Sequence, residues 1–298
     1  MKDRQKRERK DGAGERQKSG KRDSAGERQK RIIKDSDGER KKSGKRDGAG
    51  ERKKSGIRDS AGGSETMRLN KYISNSGVCS RRDADKLISA GEIKVDGQTV
   101  NDLGTKVSPD ARVEYKGELL NPEKKVYILL NKPAGYVSTL DDPHADKLVT
   151  ELIKGACTER VYPVGRLDRE TTGLLLFTND GELTRKLTHP SQRKKKVYHV
   201  HLNRPLTRND MIELTAGVNI GDETVAADAV AYPDNEDKTQ VGIELHSGQN
   251  RVVRRMFEQL GYKVKKLDRV YFAGLTKKNL PRGKWRHLTF KEVNILKR

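Results

Sequence analysis

The stretch Gly165-Arg166-Leu167-Asp168-Arg169-Glu170-Thr171-Thr172-Gly173-Leu174-Leu175-Leu176 decides how this chain is read. It opens on a polar turn and closes on an apolar run, Gly173 to Phe177, with the composition of a buried strand. On its other side, Val161 to Val164 reads as a second strand. A turn held between two rigid strands is a common place for chemistry. Its central carboxylate, Asp168, is flanked by Arg166 and Arg169, and such cations favour an ionised, nucleophilic form. A solvated turn with a surface ion pair explains the same residues, and taken alone they favour that plainer use.

Working outward, Val126 to Leu130 reads as another buried strand, and Val197 to Leu202 alternates as a fourth. Amphipathic helices are predicted at about 182–188, 207–216 and 250–260, the last ended by Gly261. Strands and helices mix without a regular βαβ rhythm. The fold class is therefore α+β with a mixed, mostly antiparallel sheet, not a doubly wound one. Upstream, Leu69, Tyr72 and Ile73 have helical spacing and stop at Gly77. Ser80-Arg81-Arg82-Asp83 reads as a capping box for a second helix carrying Ala84, Leu87 and Ile88 and closed by Gly91. Ile93 to Val100 forms two short strands around an Asp96-Gly97 turn. These signals divide the chain into a small α+β module over 67–113, a linker over 114–125 and a larger domain over 126–298.

The remaining segment, 1–66, has no aromatic residue, and its only large aliphatic or sulfur side chains are Met1, Ile32, Ile33 and Ile57. It cannot bury enough apolar surface to offset the entropy of ordering its backbone, so disorder is expected. Asp11, Asp23, Asp35, Asp47 and Asp59 open similar units at a 12-residue period, of the kind D-[GS]-x-G-E-R-[QK]-K. With nothing apolar to stack, this is no solenoid. It is either a basic arm that speeds encounter with RNA or a slippage-expanded linker.

The 298 residues carry 64 basic and 43 acidic side chains, a net charge of +21. Residues 1–66 hold 23 basic and 13 acidic ones, leaving 41 and 30 for the rest, so the folding part is basic too. A basic fold suggests a polyanion, most commonly nucleic acid. Two cysteines, Cys79 and Cys157, form no disulfide framework and no metal cluster, which suits a reducing compartment. No apolar run approaches the roughly 20 residues that span a bilayer. The N-terminus lacks the apolar core of a secretory signal. A cytoplasmic protein with no membrane partner is expected.

Several chemistries lack support. There is no G-x-x-x-x-G-K-[ST] and no G-x-G-x-x-G after a strand, so no nucleotide cofactor is expected. His199 and His201 stand two apart on a strand without a third ligand nearby, so no metal is expected either. No G-x-S-x-G elbow is present, and neither cysteine has a nucleophile's local signature. A further cluster, Asn250-Arg251-Val252-Val253-Arg254-Arg255-Met256-Phe257, puts three arginines on the opening turns of a helix. They can bind phosphate, pair with a carboxylate, or form a basic solvated face.

Together these residues carry a family resemblance. Gly165 to Leu176, continued by Phe177-Thr178-Asn179-Asp180-Gly181-Glu182-Leu183, resembles the signature of the RsuA/RluB-type ribosomal RNA pseudouridine synthases. Asn131-Lys132-Pro133-Ala134-Gly135-Tyr136-Val137-Ser138-Thr139 resembles that family's first motif. Lys196-Val197-Tyr198-His199-Val200 resembles its K-x-Y-x-V element, and Arg251 to Gly261 its late R-R-M-F-x-x-L-G helix. Residues 67–113 resemble the small RNA-binding domain first recognised in ribosomal protein S-four. The likeness runs from about residue 67 to the end, with the motifs in the family's order.

The resemblance implies isomerisation of a uridine to pseudouridine without a cofactor. Asp168 takes the place of the catalytic aspartate that attacks the target nucleotide so that the glycosidic bond breaks. Tyr198 matches the tyrosine that packs on the flipped base, since every base offers a π-face. Arg254 matches the basic residue paired with the aspartate, and Arg166 the residue that helps fill the gap left by the base. Basic residues of the small module (Arg68, Lys71, Arg81, Arg82 and Lys86) and of the late helix (Arg251 and Arg255) are the candidate RNA contacts. The family often has glutamine where this chain has Val252. The implied partner is ribosomal RNA, free or in a pre-ribosomal particle, met by a monomer. The likeness leans to the large-subunit branch and hence to 23S rRNA, with 16S as the alternative. A catalytically silent RNA-binding or ribosome-assembly protein is the competing reading from another class, and a pure binder has no need of the aspartate motif. An RNA methyltransferase would need a glycine-rich cofactor loop that this chain lacks.

Overall fold

A computed structural model describes residues 66–140, 146–221 and 223–298. The repeat tail, apart from Thr66, lies outside the described residues. The small module comprises β1 (Met67–Arg68), α1 (Leu69–Asn75), α2 (Arg81–Ser89), β2 (Ile93–Val95), β3 (Gln98–Thr99), β4 (Lys106–Val107), β5 (Val113–Tyr115) and β6 (Glu118–Leu119). Ser80 caps α2, its hydroxyl accepting from the Asp83 amide at 3.2 Å and donating to the Asp83 carboxylate at 2.7 Å. Asp96 (φ 50°) and Gly97 (φ 82°) make the tight turn between β2 and β3. Leu69, Ile73, Ala84, Ile88, Ile93 and Val113 are fully buried and form the module's own core.

The stretch 114–125 is not a plain linker. It contains the end of β5 and all of β6, paired through Glu114–Leu119 and Tyr115–Glu118. Lys116 (φ 53°) and Gly117 (φ 83°) supply the two left-handed residues that such a hairpin needs. Lysine in the first of those places hid the turn, which is usually signalled by Asn-Gly or Asp-Gly. Leu120 then returns to the module's core, and its carbonyl accepts from the Tyr72 hydroxyl at 3.0 Å.

The larger domain runs β7 (Tyr127–Lys132), β8 (Tyr162–Pro163), β9 (Thr171–Thr178), α3 (Gly181–Thr188), β10 (Lys196–Leu202), α4 (Arg208–Ala216), β11 (Val218–Asn219), β12 (Thr224–Val225), β13 (Ala229–Ala231), β14 (Gln240–Leu245), α5 (Val252–Gln259), β15 (Val264–Phe272), β16 (Leu275–Thr276), β17 (Trp285–His287) and α6 (Phe290–Lys297). Its main sheet has the order β13-β14-β10-β15-β9-β7-β17, with β8 on β9 and β16 on β15. The β15–β9 pair is parallel, and the other pairings in this sheet are antiparallel. The fold is thus α+β with a mixed, mostly antiparallel sheet.

Both faces of the central strands are covered, which is why β7 and β9 read as apolar runs without alternation. Ile128, Leu130, Leu175 and Phe177 face one core with Leu214 of α4 and Val253, Met256 and Phe257 of α5. Leu129, Leu174 and Leu176 face the other, closed by Leu183 and Leu187 of α3 and Leu296 of α6. Gly173 marks where β9 meets β15. A Cβ there would lie 2.3 Å from the Arg269 carbonyl oxygen and 2.6 Å from its nitrogen, and φ is +106°. Glycine alone permits that approach.

The same junction is pinned by a half-buried ionic network. Asp268 of β15 receives both terminal nitrogens of Arg282, at 3.1 and 2.9 Å, the Thr172 hydroxyl at 3.0 Å, and the Lys277 ammonium. Burial raises the Asp268 carboxyl, but the hydrogen bonds from Arg282 and Lys277 outweigh it and hold it at about 2. A folded-state value below the ordinary 3.8 stabilises the fold above pH 4, and that stability is lost as pH falls toward 2. The loss across this window is about 2 kcal/mol. Urea unfolding from pH 5 to pH 2 is expected to show it in the wild type, and Asp268→Asn to flatten that part of the profile. No helix of the described residues is long and apolar enough to cross a membrane.

Candidate active site

The turn between β8 and β9 is built by its neighbours more than by its own sequence. Ser138 holds it from one side, its hydroxyl donating to the Leu167 carbonyl at 2.9 Å and accepting from the Leu167 amide at 3.3 Å. The Gly135 amide donates to the Arg169 carbonyl at 2.9 Å, and the Thr171 amide closes the turn onto the Asp168 carbonyl at 3.0 Å. From the end of β7, the fully buried Lys132 ammonium reaches four carbonyls: Thr171 at 2.8 Å, Pro133 and Arg169 at 3.1 Å, and Asp168 at 3.2 Å. An ammonium has three hydrogens, so these four acceptors use all of them. Burial draws Lys132 down to about 8, against the pull of the Glu170 and Asp168 carboxylates. The stretch 131–139 is therefore the cradle of the turn. Its motif was legible in the sequence; its physical task was not.

The turn opens into a cavity of about 120 Å³. Asp168 and Arg166 line it from the turn, Tyr198 and Lys196 from β10, Arg269 from β15, and Arg251, Val252 and Val253 from the start of α5. Leu187, Leu267 and Phe272 supply apolar wall. This volume is well under the roughly 300–1,000 Å³ of pockets that enclose a drug-sized ligand and suits a single flat ring. Asp168 is half-buried, Arg166 exposed and Tyr198 nearly covered. Val252 makes this part of the wall apolar and buried.

The arginines of α5 do not act as one phosphate-binding face. Arg251 sits at the cavity with φ 50° and no side-chain cap, so the positive end of α5 opens beside it. Its guanidinium also lies 3.6 Å from Glu258. Arg255 donates instead to the Ile220 carbonyl. Arg254 is buried, donating to the Val264 carbonyl at 3.1 Å, and its Nε has no partner. The direct Arg254–Asp168 pair that the resemblance implied is not formed. Asp168 still acts on Arg254 as a nearby charge, against the burial and the Arg251 charge that lower the Arg254 pKa. The Val264 carbonyl takes one of the two terminal guanidinium nitrogens. Arg169, read as a flanking cation, lies 3.9 Å from Asp146 rather than on Asp168.

Two cavity residues carry roles that the sequence reading did not single out. Arg269 lies opposite Tyr198 in the β10–β15 register, is buried, and donates through Nε and Nη2 to the Leu174 carbonyl at 2.9 and 2.7 Å. Burial lowers its pKa, with Tyr198 as the neighbour that opposes the shift. Lys196 donates to the His246 carbonyl at 2.8 Å and the Ser247 carbonyl at 3.4 Å, tying the loop before α5 to the sheet. Burial and the Arg269 charge lower it to about 8. The K-x-Y spacing pointed at Lys196; nothing local in Lys-Leu-Asp-Arg-Val pointed at Arg269.

In the small module, Arg68, Arg81 and Arg82 are exposed. Lys86 pairs with Asp83 at 2.9 Å, and Lys71 with Glu182 of α3 at 2.7 Å. Lys71 thereby ties the module to the larger domain. His199 and His201 lie with ring centroids 4.6 Å apart, and no group of three or more candidate metal ligands occurs among the described residues.

Comparison with known proteins agrees with this architecture. Residues 126–259 match the RNA pseudouridylate synthase family and residues 67–113 the S4 domain. The chain is 39% identical over 233 residues to ribosomal large subunit pseudouridine synthase B of Bacillus subtilis, covering 77% of this chain and 95% of that protein. It is 38% identical over 231 residues to the dual-specificity RNA pseudouridine synthase RluF of Escherichia coli, covering 76% and 77%. A solved pseudouridylate synthase superimposes with a TM-score of 0.56 at 29% identity, covering 77% of this chain and 99% of that one. The chain therefore belongs to the RNA pseudouridine synthase family, with an S4 domain ahead of the catalytic fold.

Proposed function

We propose that this protein isomerises a uridine of ribosomal RNA, most consistently of 23S rRNA, to pseudouridine. The observation that carries this reading is the 120 Å³ cavity in which Asp168, Tyr198 and Arg166 meet. The target base leaves its stack at a cost of a few kcal/mol, smaller in a loop or bulge, and enters the cavity. Asp168 attacks the nucleotide and the C1′–N1 bond breaks. The freed uracil turns within the pocket and rejoins C1′ through C5, the bond to Asp168 breaks and returns the carboxylate, and the base loses the C5 proton and gains one at N1. Tyr198 packs on the ring, Arg166 fills the vacated stack, and Lys132 holds the backbone of the turn that carries the carboxylate.

In this reading residues 67–113 supply affinity and register while 126–298 supply the chemistry. The protein acts as a monomer in the cytoplasm, on rRNA that is free or in a pre-ribosomal particle, and needs no cofactor. The name of the Bacillus subtilis relative, a ribosomal large subunit pseudouridine synthase, supports the large subunit, and that of the Escherichia coli relative supports RNA as the substrate. Pseudouridine mapping of rRNA from cells lacking this gene tests the assignment. One uridine of 23S rRNA is expected to lose its modification and regain it on complementation. A lost site confined to 16S rRNA would move the target to the small subunit, and an unchanged map would remove the assignment.

A further inference from the structure

The cavity holding Asp168 does not end at its rim. Thr188, the last residue of α3, lines it and also lines a second groove of about 850 Å³ between α3 and the S4 domain. Arg81 of α2, Arg160 just before β8 and Arg185 of α3 line this groove, with Tyr162 of β8 among them. Arg81 and Tyr162 converge above Gly181, where a Cβ would lie 3.1 Å from the Arg81 Nη2 and 3.2 Å from the Tyr162 hydroxyl. Burial raises the Tyr162 phenol most, and the Arg81 and Arg160 charges both act on it in the opposite sense. Glu182 is the one acid lining the groove among the described residues, and Lys71 neutralises it at 2.7 Å. Arg81, Arg160 and Arg185 form no ion pair among the described residues.

We infer that this groove carries the unpaired RNA strand flanking the target uridine, a reading that rests on the function proposed above. Three unneutralised guanidiniums in one trough form an electrostatic site for successive phosphates. An aromatic ring set among them matches the way proteins hold single strands, by charge along the backbone and stacking on bases. The shared Thr188 fixes the direction. A nucleotide drawn into the cavity brings its neighbour past α3 toward the S4 domain.

The test uses the full chain and a labelled single-stranded oligouridylate, with affinity measured across a salt series. Arg160→Gln with Arg185→Gln is expected to weaken binding at least about tenfold and lower the slope of log K against log salt by about 2. Lys154→Gln with Lys291→Gln, two exposed lysines outside the groove, is the charge-matched control and is expected to leave the slope nearly unchanged. Arg160→Lys with Arg185→Lys is expected to keep most of the slope. If the doubly neutralised protein melts early, each single substitution carries the test, at about one unit of slope apiece. A groove variant indistinguishable from the control would overturn the inference, as would an equal loss on an RNA duplex of the same length. Conversion of rRNA by the wild type is followed in parallel. A slope that moves while no pseudouridine forms refutes the catalytic reading and leaves the groove standing. Conversion with an unmoved slope refutes the groove alone.

Discussion

Asp168→Asn is expected to lower single-turnover conversion of rRNA by at least about 10⁴-fold, the scale on which removal of a covalent nucleophile acts. The amide keeps the volume of the carboxylate, so the cavity is preserved. The Asp168 carboxylate acts on Lys132 and Arg254 as a nearby charge and forms no direct ion pair with either, so little packing is disturbed. Melting temperature should stay close to wild type and RNA affinity within a few-fold. The pattern separates two roles for the residue. A nucleophile loses rate and keeps binding; a phosphate-repelling surface acid would bind RNA more tightly when neutralised and lose no rate.

The second large effect is expected at Lys132, which touches no substrate in this reading. Lys132→Met keeps an unbranched side chain one atom shorter and removes every hydrogen that serves the carbonyls of Pro133, Asp168, Arg169 and Thr171. A buried carbonyl without a donor costs about 1–3 kcal/mol, and the turn relieves that cost by moving. A shift of about 1 Å at the nucleophile costs on the order of 10²-fold in rate. The expected result is a fall of that size in kcat with RNA Kd nearly unchanged, together with a lower urea midpoint. Lys132→Arg is not expected to rescue, because a planar fork cannot reproduce the ammonium's geometry in a fully enclosed site. If rate per folded molecule is unchanged in Lys132→Met, the lysine supports the fold and does not position Asp168.

What could be read in advance followed the strength of local signals. The runs at β7 and β9 were plain because both of their faces are buried. The caps at Ser80 and the turn at Asp96-Gly97 were plain because their chemistry is local. Gln240–Leu245 and Val264–Phe272 also become strands, although Gln240-Val-Gly-Ile-Glu-Leu alternates only over six residues and the latter is interrupted by lysines and an aspartate. Their charged positions are meaningful only in the assembled sheet, where Asp268 meets Arg282 and Arg269 lies against β9. Among the site residues, Asp168, Tyr198 and Arg166 were named from motif spacing, and the fold brings them to one cavity. The separation of Arg254 from Asp168 was not legible. It depends on how α5 packs beside β15, where Arg254 is buried and donates to the Val264 carbonyl. Arg160 and Arg185 escaped notice for a related reason, since only the packing of α3 beside the S4 domain puts them in one groove.

The most direct measurement follows the one bond to hydrogen that the isomerisation must break. Purified protein, with chelator present and no nucleotide, is given rRNA transcript carrying tritium at C5 of uridine. Release of one tritium per modified uridine by the wild type, and none by Asp168→Asn at saturating RNA, is the expected result. Retention of the label by a wild type that still binds the transcript, or release by the variant at the wild-type rate, would contradict a carboxylate-driven exchange of the glycosidic bond.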